Sequence, residues 1–171
     1  MSSKRKATKK ESTLNLLFVG RLAHPKRLDL LIKAVNKVDG VVLTVVGDGP
    51  DRNLYREKDN VKLLGEIQNF DKFYKYDAFV LISDSEGLPM SALEAASAGL
   101  PILLSNVGGC PELIKNNGIL VKNTVDDIVN AINNIKLEYG YYQTASQDIK
   151  DTFSLFHSKK LYSNLYVDIG K

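Results

Sequence analysis

Six short apolar runs, each separated from the next by turn residues and amphipathic sequence, restrict the folds open to this chain more than any other feature. They are Leu14–Val19, Val41–Val46, Val61–Leu64, Ala78–Ile82, Ile102–Leu104 and Gly118–Val121. The runs are continuous rather than alternating, so each strand expects cover on both faces. Between the first two, Leu28, Leu31, Ile32, Val35 and Val38 recur at helical spacing. Val125, Ile128, Val129, Ile132 and Ile135 do the same after a cap at Asn123 or Thr124. A short helix is expected after Asp51, and another with Asn69 as its cap, carrying Phe70, Phe73 and Tyr74. Ala92 to Ala98 reads as a slim helix, Pro111–Ile114 as one helical turn, and two segments near Tyr141–Asp151 and Leu155–Tyr166 close the chain. Buried strands alternating with helices predict an α/β domain, a doubly wound, Rossmann-like parallel sheet of about six strands with helices on both faces.

Length and charge divide the chain in two. Its 171 residues suit one domain, placed at 13–171, behind a basic flexible tail or linker at 1–12. Five of the 23 basic residues (Lys4, Arg5, Lys6, Lys9, Lys10) and one of the 20 acidic ones, Glu11, lie in that tail, so the remaining 18 basic residues face 19 acidic ones. The body therefore lacks the basic surface a nucleic-acid partner requires. No apolar run approaches the roughly 20 residues of a membrane span, and no secretory h-region follows the basic start. Cys110 is the only cysteine, which excludes an internal disulfide and makes a cytoplasmic setting the expectation.

In a doubly wound sheet, ligands bind beyond the carboxyl ends of the strands, which selects the loops to read. The first, "VGRLAHPKR", lacks both G-x-G-x-x-G and the P-loop pattern, so a dinucleotide cofactor and a Walker-type nucleotide are disfavoured. It offers Gly20 for close backbone approach, and Arg21, Lys26 and Arg27 as positive charge for phosphate oxygens. Cations at a helix start are unfavourable unless an anion sits there. His24 reads as a loop-surface residue, His157 as a helix-face residue and Cys110 as a turn residue.

The stretch "SDSEGLPMSALEAASAGLPI" leaves the fourth run and opens a helix. Pro89 suits the first turn, while Gly99 and Pro101 stop the helix. Free N–H groups near Met90 and Ser91 favour an anion. Glu86 precedes that point and Glu94 lies about one turn beyond it. Carboxylates repel phosphate but accept hydrogen bonds from hydroxyls, which sugars supply. Either glutamate alone reads as an ordinary polar residue. The order of a basic loop, this helix start and then Gly108-Gly109-Cys110-Pro111-Glu112 is what gives the pattern weight.

The motifs "VGRL" with Lys26, "VVGDGP", "LLGEI", "SDSEGLPMSALEAASAGLPIL" and "GGCPELI" together resemble the C-terminal, donor-binding domain of retaining glycosyltransferases of family 4, which have the two-domain GT-B fold. The resemblance covers about Leu14 to Val121. It implies that Arg21 and Lys26 hold the donor diphosphate and stabilise the departing nucleotide. Glu86 would hold hydroxyls of the transferred sugar, and Glu94 the ribose. Gly20 would admit the phosphates, while Gly87, Leu88, Pro89, Met90 and Ser91 would meet sugar and phosphates through backbone. Gly65, Glu66 and Ile67 would border the base. It implies no metal and no cofactor, with a nucleotide sugar, UDP-linked by preference, as substrate. Surface polysaccharide is the implied product class. Arg27 stands where the family usually has glycine. The resemblance also implies a partner: an N-terminal Rossmann domain that binds the acceptor and contributes a histidine, in the same polypeptide or as a separate subunit. Without it, this chain would bind donor and transfer poorly. The full-length protein could touch the inner face of a membrane. Two other readings stay open: a stand-alone nucleotide-sugar module, and an interaction domain with a vestigial pocket.

Overall fold

A computed structural model describes the backbone of residues 12–169 and side chains as far as Lys159. Of the expected tail, only Ser12 falls within that range. The elements follow in the order β1 (Leu14–Val19), α1 (Leu28–Val35), β2 (Val41–Val46), β3 (Val61–Leu63), β4 (Ala78–Leu81), α2 (Met90–Ser97), β5 (Ile102–Ser105), β6 (Gly118–Val121), α3 (Val125–Leu137) and α4 (Tyr139–Ile169). The strands form one parallel sheet in the order β3-β2-β1-β4-β5-β6. The fold is therefore the predicted α/β, Rossmann-like one. The chain winds outward from β1 on one side and from β4 on the other, so the strand order reverses at the β1/β4 crevice.

Burial explains the continuous apolar runs. All four residues of β4 and all four of β5 are buried. The covering helices pair off, α1 beside α3 and α2 beside α4. Leu28, Leu31, Ala34 and Val35 turn one face of α1 inward, and Ile128, Ala131, Ile132 and Ile135 do so for α3. Alanines at 92, 95 and 96 bring α2 close to the sheet. Thr124 caps α3, its hydroxyl accepting from the Asp127 N–H at 3.2 Å. That choice leaves Asn123 available for another task.

Two local expectations fail. The segment after Asn69 is only a 3-10 turn, Lys72–Lys75, and Asn69 itself is left-handed at φ +51°, which a helix cap is not. The short helix expected after Asp51 is present as a 3-10 turn, Arg52–Leu54, and the single turn expected near Pro111 is the 3-10 turn Cys110–Leu113. The two closing helices are one, α4, because nothing between Asp151 and Leu155 breaks it: the intervening Thr152, Phe153 and Ser154 include no glycine or proline. Phe153 is buried there, and the Ser154 hydroxyl donates to the Ser97 carbonyl at 3.4 Å.

Candidate donor site at the strand-order reversal

The loops after β1 and β2 brace each other through backbone. The Gly20 N–H donates to Val46 O at 3.0 Å and the Leu22 N–H to Asp48 O at 2.9 Å. A Cβ on Gly47 would lie 1.8 Å from Gly20 O, and that residue has φ +144°. Only glycine allows the approach. The braced loops and the segment after β3 enclose a cleft of about 620 Å³, lined by Gly20, Arg21, Gly47–Gly49, Glu66 and Ile67. Gly65 fixes the third wall, its carbonyl accepting from the Gly47 N–H at 2.8 Å. Arg21 is exposed and, among the described residues, its guanidinium has no partner.

The other half of the site comes from β4 and β5. The β1 loop crosses the crevice: Lys26 and Ser83 form a backbone bridge, the Arg27 N–H donates to Ile82 O at 2.8 Å and the Asp84 N–H to Pro25 O at 2.9 Å. This crossing brings the Lys26 ammonium onto Glu86, 60 residues away, as a direct hydrogen-bonded ion pair. The Glu86 segment is held from behind. The Gly109 N–H donates to Gly87 O at 2.8 Å, and Gly108 passes so close that a Cβ there would sit 1.7 Å from Glu86 O. Beneath it, the Ser105 hydroxyl accepts from the Ser83 N–H at 2.9 Å and donates to Asn123 Oδ1 at 2.6 Å. Asn123 donates in turn to Ser83 O at 2.8 Å and Asp84 Oδ1 at 2.9 Å. This network ties the ends of β4 and β5 to the segment after β6. Sequence reading placed no function on Ser105 or Asn123. A buried serine closing the run "ILLS" was the available signal.

Two residues differ from expectation. Arg27 does not wait for a ligand: its guanidinium forks onto Asp29 at 3.0 Å twice and lies 3.4 Å from Asp84. That hydrogen bonding raises Arg27 above its ordinary value and holds Asp29 below the usual carboxylate range. The anion demanded by a cationic helix start is thus supplied internally. Pro89, at φ −73° and ψ 110°, is the N-cap of α2 rather than its first helical residue. No side-chain cap hydrogen bond is made at the start of α2 among the described residues.

Glu94 lies on α2, and its carboxyl is 3.8 Å from His157 Nε2 on α4. Burial raises the Glu94 pKa, and His157 counters part of that rise. The His157 Nε2 is itself buried with no hydrogen-bond partner among the described residues. His157 therefore belongs to the surroundings of Glu94 rather than to a plain helix face. Cys110 is fully buried behind the ion pair, and burial pushes its thiol up to about 11. It is no nucleophile. Among the described residues no group of acidic, histidine or cysteine side chains is arranged to hold a metal ion, and no helix is long and apolar enough to cross a membrane.

A parallel sheet carrying its polar loops at the strand-order reversal defines a Rossmann-like ligand-binding half-domain. Residues 2–151 match the family described as glycosyl transferases group 1, and the chain belongs to that family. It is 42% identical over 160 residues to the O-antigen biosynthesis glycosyltransferase WbnH of Escherichia coli, covering 91% of this chain and 47% of the relative. The chain spans about half the length of the curated relatives it matches. Among solved structures, Anabaena HepE in complex with UDP and glucose superposes with a TM-score of 0.77 at 20% identity, covering 91% of this chain and 48% of that one. The C-terminal domain of a group 1 glycosyl transferase, LpcC of Francisella tularensis, gives 0.69 at 21% identity and covers 82% of this chain and 86% of that one. The fold is that of a C-terminal half of the GT-B architecture.

Proposed function

We propose that this chain is the donor-binding half of a retaining glycosyltransferase of surface-polysaccharide synthesis, and that it holds a UDP-sugar across the β1/β4 crevice. One observation carries the reading: the unpartnered Arg21, the Lys26–Glu86 pair and the uncapped start of α2 all converge on the strand-order reversal. Arg21 and Lys26, with the Met90 and Ser91 N–H groups, receive the diphosphate. As the bond from sugar carbon to phosphate oxygen breaks, negative charge grows on the leaving nucleotide, and fixed cations there favour the transition state. These charges do the work a metal would, so binding needs no divalent ion. Glu86 takes sugar hydroxyls and Glu94 the ribose. Gly65, Glu66 and Ile67 line the cleft in which a base fits. The relatives' names, O-antigen synthesis for WbnH and a UDP complex for HepE, support the product and nucleotide classes.

The acceptor hydroxyl requires a second wall. Relatives about twice as long are consistent with an acceptor domain joined to this one, in the same polypeptide or as a subunit. Much of the rate of glycosyl transfer comes from positioning and exclusion of water. The isolated chain should therefore bind donor and turn it over slowly.

Calorimetry with UDP, GDP, ADP and UDP-sugars in EDTA tests the reading. UDP should bind best, and Arg21→Ala should weaken it about 10- to 100-fold. Undiminished binding by the variant, or an absolute need for Mg²⁺, would remove the diphosphate site. Robust transfer by the isolated chain would place the acceptor site within these residues.

A further inference from the structure

Lys26 and Glu86 were expected to serve different parts of the donor, yet they are bonded to each other, with side chains only 18% and 9% exposed. Arg27 is engaged by Asp29 and Asp84 outside this pair, and Arg21 has no partner among the described residues. Lys26 is therefore the one expected phosphate ligand whose charge is already neutralised by another expected ligand. Building on the donor-site reading above, we propose that this ion pair makes the site select intact nucleotide sugar over spent nucleoside diphosphate.

The two ligands differ in what they offer Glu86. A bare diphosphate brings negative charge to Lys26 and no hydroxyl within the sugar position. Glu86 must then share its cation with phosphate or lose it, and an inaccessible carboxylate stripped of its partner is strongly disfavoured. Intact donor brings the same diphosphate together with sugar hydroxyls. Those donate to Glu86 as Lys26 turns to the phosphates, so the carboxylate changes partner without being left bare. Glu86 thus opposes the product nucleotide and favours the substrate. Spent nucleotide is released more readily, and the sugar's presence is sensed by the residue that holds the leaving-group cation. Gly108 and Gly109 support this by clamping the Glu86–Gly87 backbone, which fixes the point from which the Glu86 side chain reaches Lys26.

The test is calorimetric titration of the whole chain, in EDTA, with UDP and with UDP-glucose. Glu86→Gln keeps the shape and removes the charge. It should bind UDP about three- to tenfold tighter than the unaltered chain and UDP-glucose more weakly. In a Lys26→Gln background the same change should gain less than about twofold on UDP, because the pair is already broken. UDP affinity unchanged or reduced in Glu86→Gln overturns the proposal. An equal gain without Lys26 also overturns it, since plain repulsion between Glu86 and phosphate would then suffice. If urea unfolding shows that Glu86→Gln does not fold, Glu86→Asp, whose shorter side chain withdraws from Lys26, should show tighter UDP binding, and its failure to do so counts equally against the idea. Arg21→Ala separates the two levels: retained UDP affinity there removes the diphosphate site itself, whereas its loss together with unchanged UDP affinity in Glu86→Gln removes only the selectivity role.

Discussion

Replacing Gly108 by alanine should damage both stability and donor recognition through one contact. The new Cβ would lie 1.7 Å from the Glu86 carbonyl oxygen. An unstrained carbon–oxygen contact is about 3.3 Å, so the Glu86 backbone must retreat by roughly 1.5 Å. The position also keeps φ at +50°, which costs a residue with a Cβ about 1–2 kcal/mol. The retreat breaks the 2.8 Å bond from the Gly109 N–H to Gly87 O, worth about 1 kcal/mol. A total near 2–3 kcal/mol corresponds to a fall of roughly 4–12 °C in Tm for a domain of this size. Urea unfolding followed by circular dichroism gives the first number. Titration of the folded variant with UDP-glucose gives the second, where a misplacement above 1 Å should cost about 10- to 100-fold. UDP alone should not bind more weakly, because Glu86 is not its ligand and a retreat from Lys26 only frees that cation. An unaltered urea midpoint together with normal UDP-glucose affinity would refute the claim that the Gly108–Gly109 turn positions Glu86.

Two further outcomes separate engaged from available charges. Arg27→Gln should lower stability by no more than about 1 kcal/mol, since the pair with Asp29 is partly exposed, and should change UDP affinity less than about twofold. Asp29 is held below its unfolded value, so its contribution is present above the ordinary carboxylate range and is lost on acidification through the lowered value; urea midpoints of the variant and the original should converge there. Glu94→Gln should behave in the opposite sense. Burial raises the Glu94 carboxyl, so stability falls as pH rises from the unfolded value of 4.5 through the raised folded one. The variant should therefore be at least as stable as the original at neutral pH while binding UDP more weakly, and a clear loss of stability at neutral pH would contradict this.

The fold was legible because its signals are local. Continuous apolar runs such as "AFVL" and the 3.6-residue spacing of Ile128, Ile132 and Ile135 each reflect a face that must be buried. Asn69 misled because a polar residue ahead of aromatics resembles a cap, while asparagine equally tolerates the left-handed turn it actually makes. The expected gap between Asp151 and Leu155 holds no glycine or proline to impose a break. Within the site, residue types were legible and pairings were not. Whether Arg27 answers to a ligand or to Asp29, and whether Glu86 meets a sugar or Lys26, depends on which loops the crevice brings together. Asn123 shows the same limit: its sequence neighbourhood suggests a helix cap, and its actual partners, Ser83, Asp84 and Ser105, come from two other strands.

The β1/β4 crevice has a mechanical meaning as well. Six residue pairs register β1 against β2, and only two, Leu16 with Ala78 and Leu17 with Phe79, register β1 against β4. The sheet is thus two three-stranded leaves joined along a short seam, reinforced at its upper end by the Lys26–Ser83 bridge. Gly20 and Arg21 belong to one leaf, Glu86 and Met90 to the other. A molecule lying across the crevice acts as a rivet between them, and its binding energy resists the parting of the leaves rather than adding evenly to the whole. The occupied domain should therefore stiffen first along its own midline.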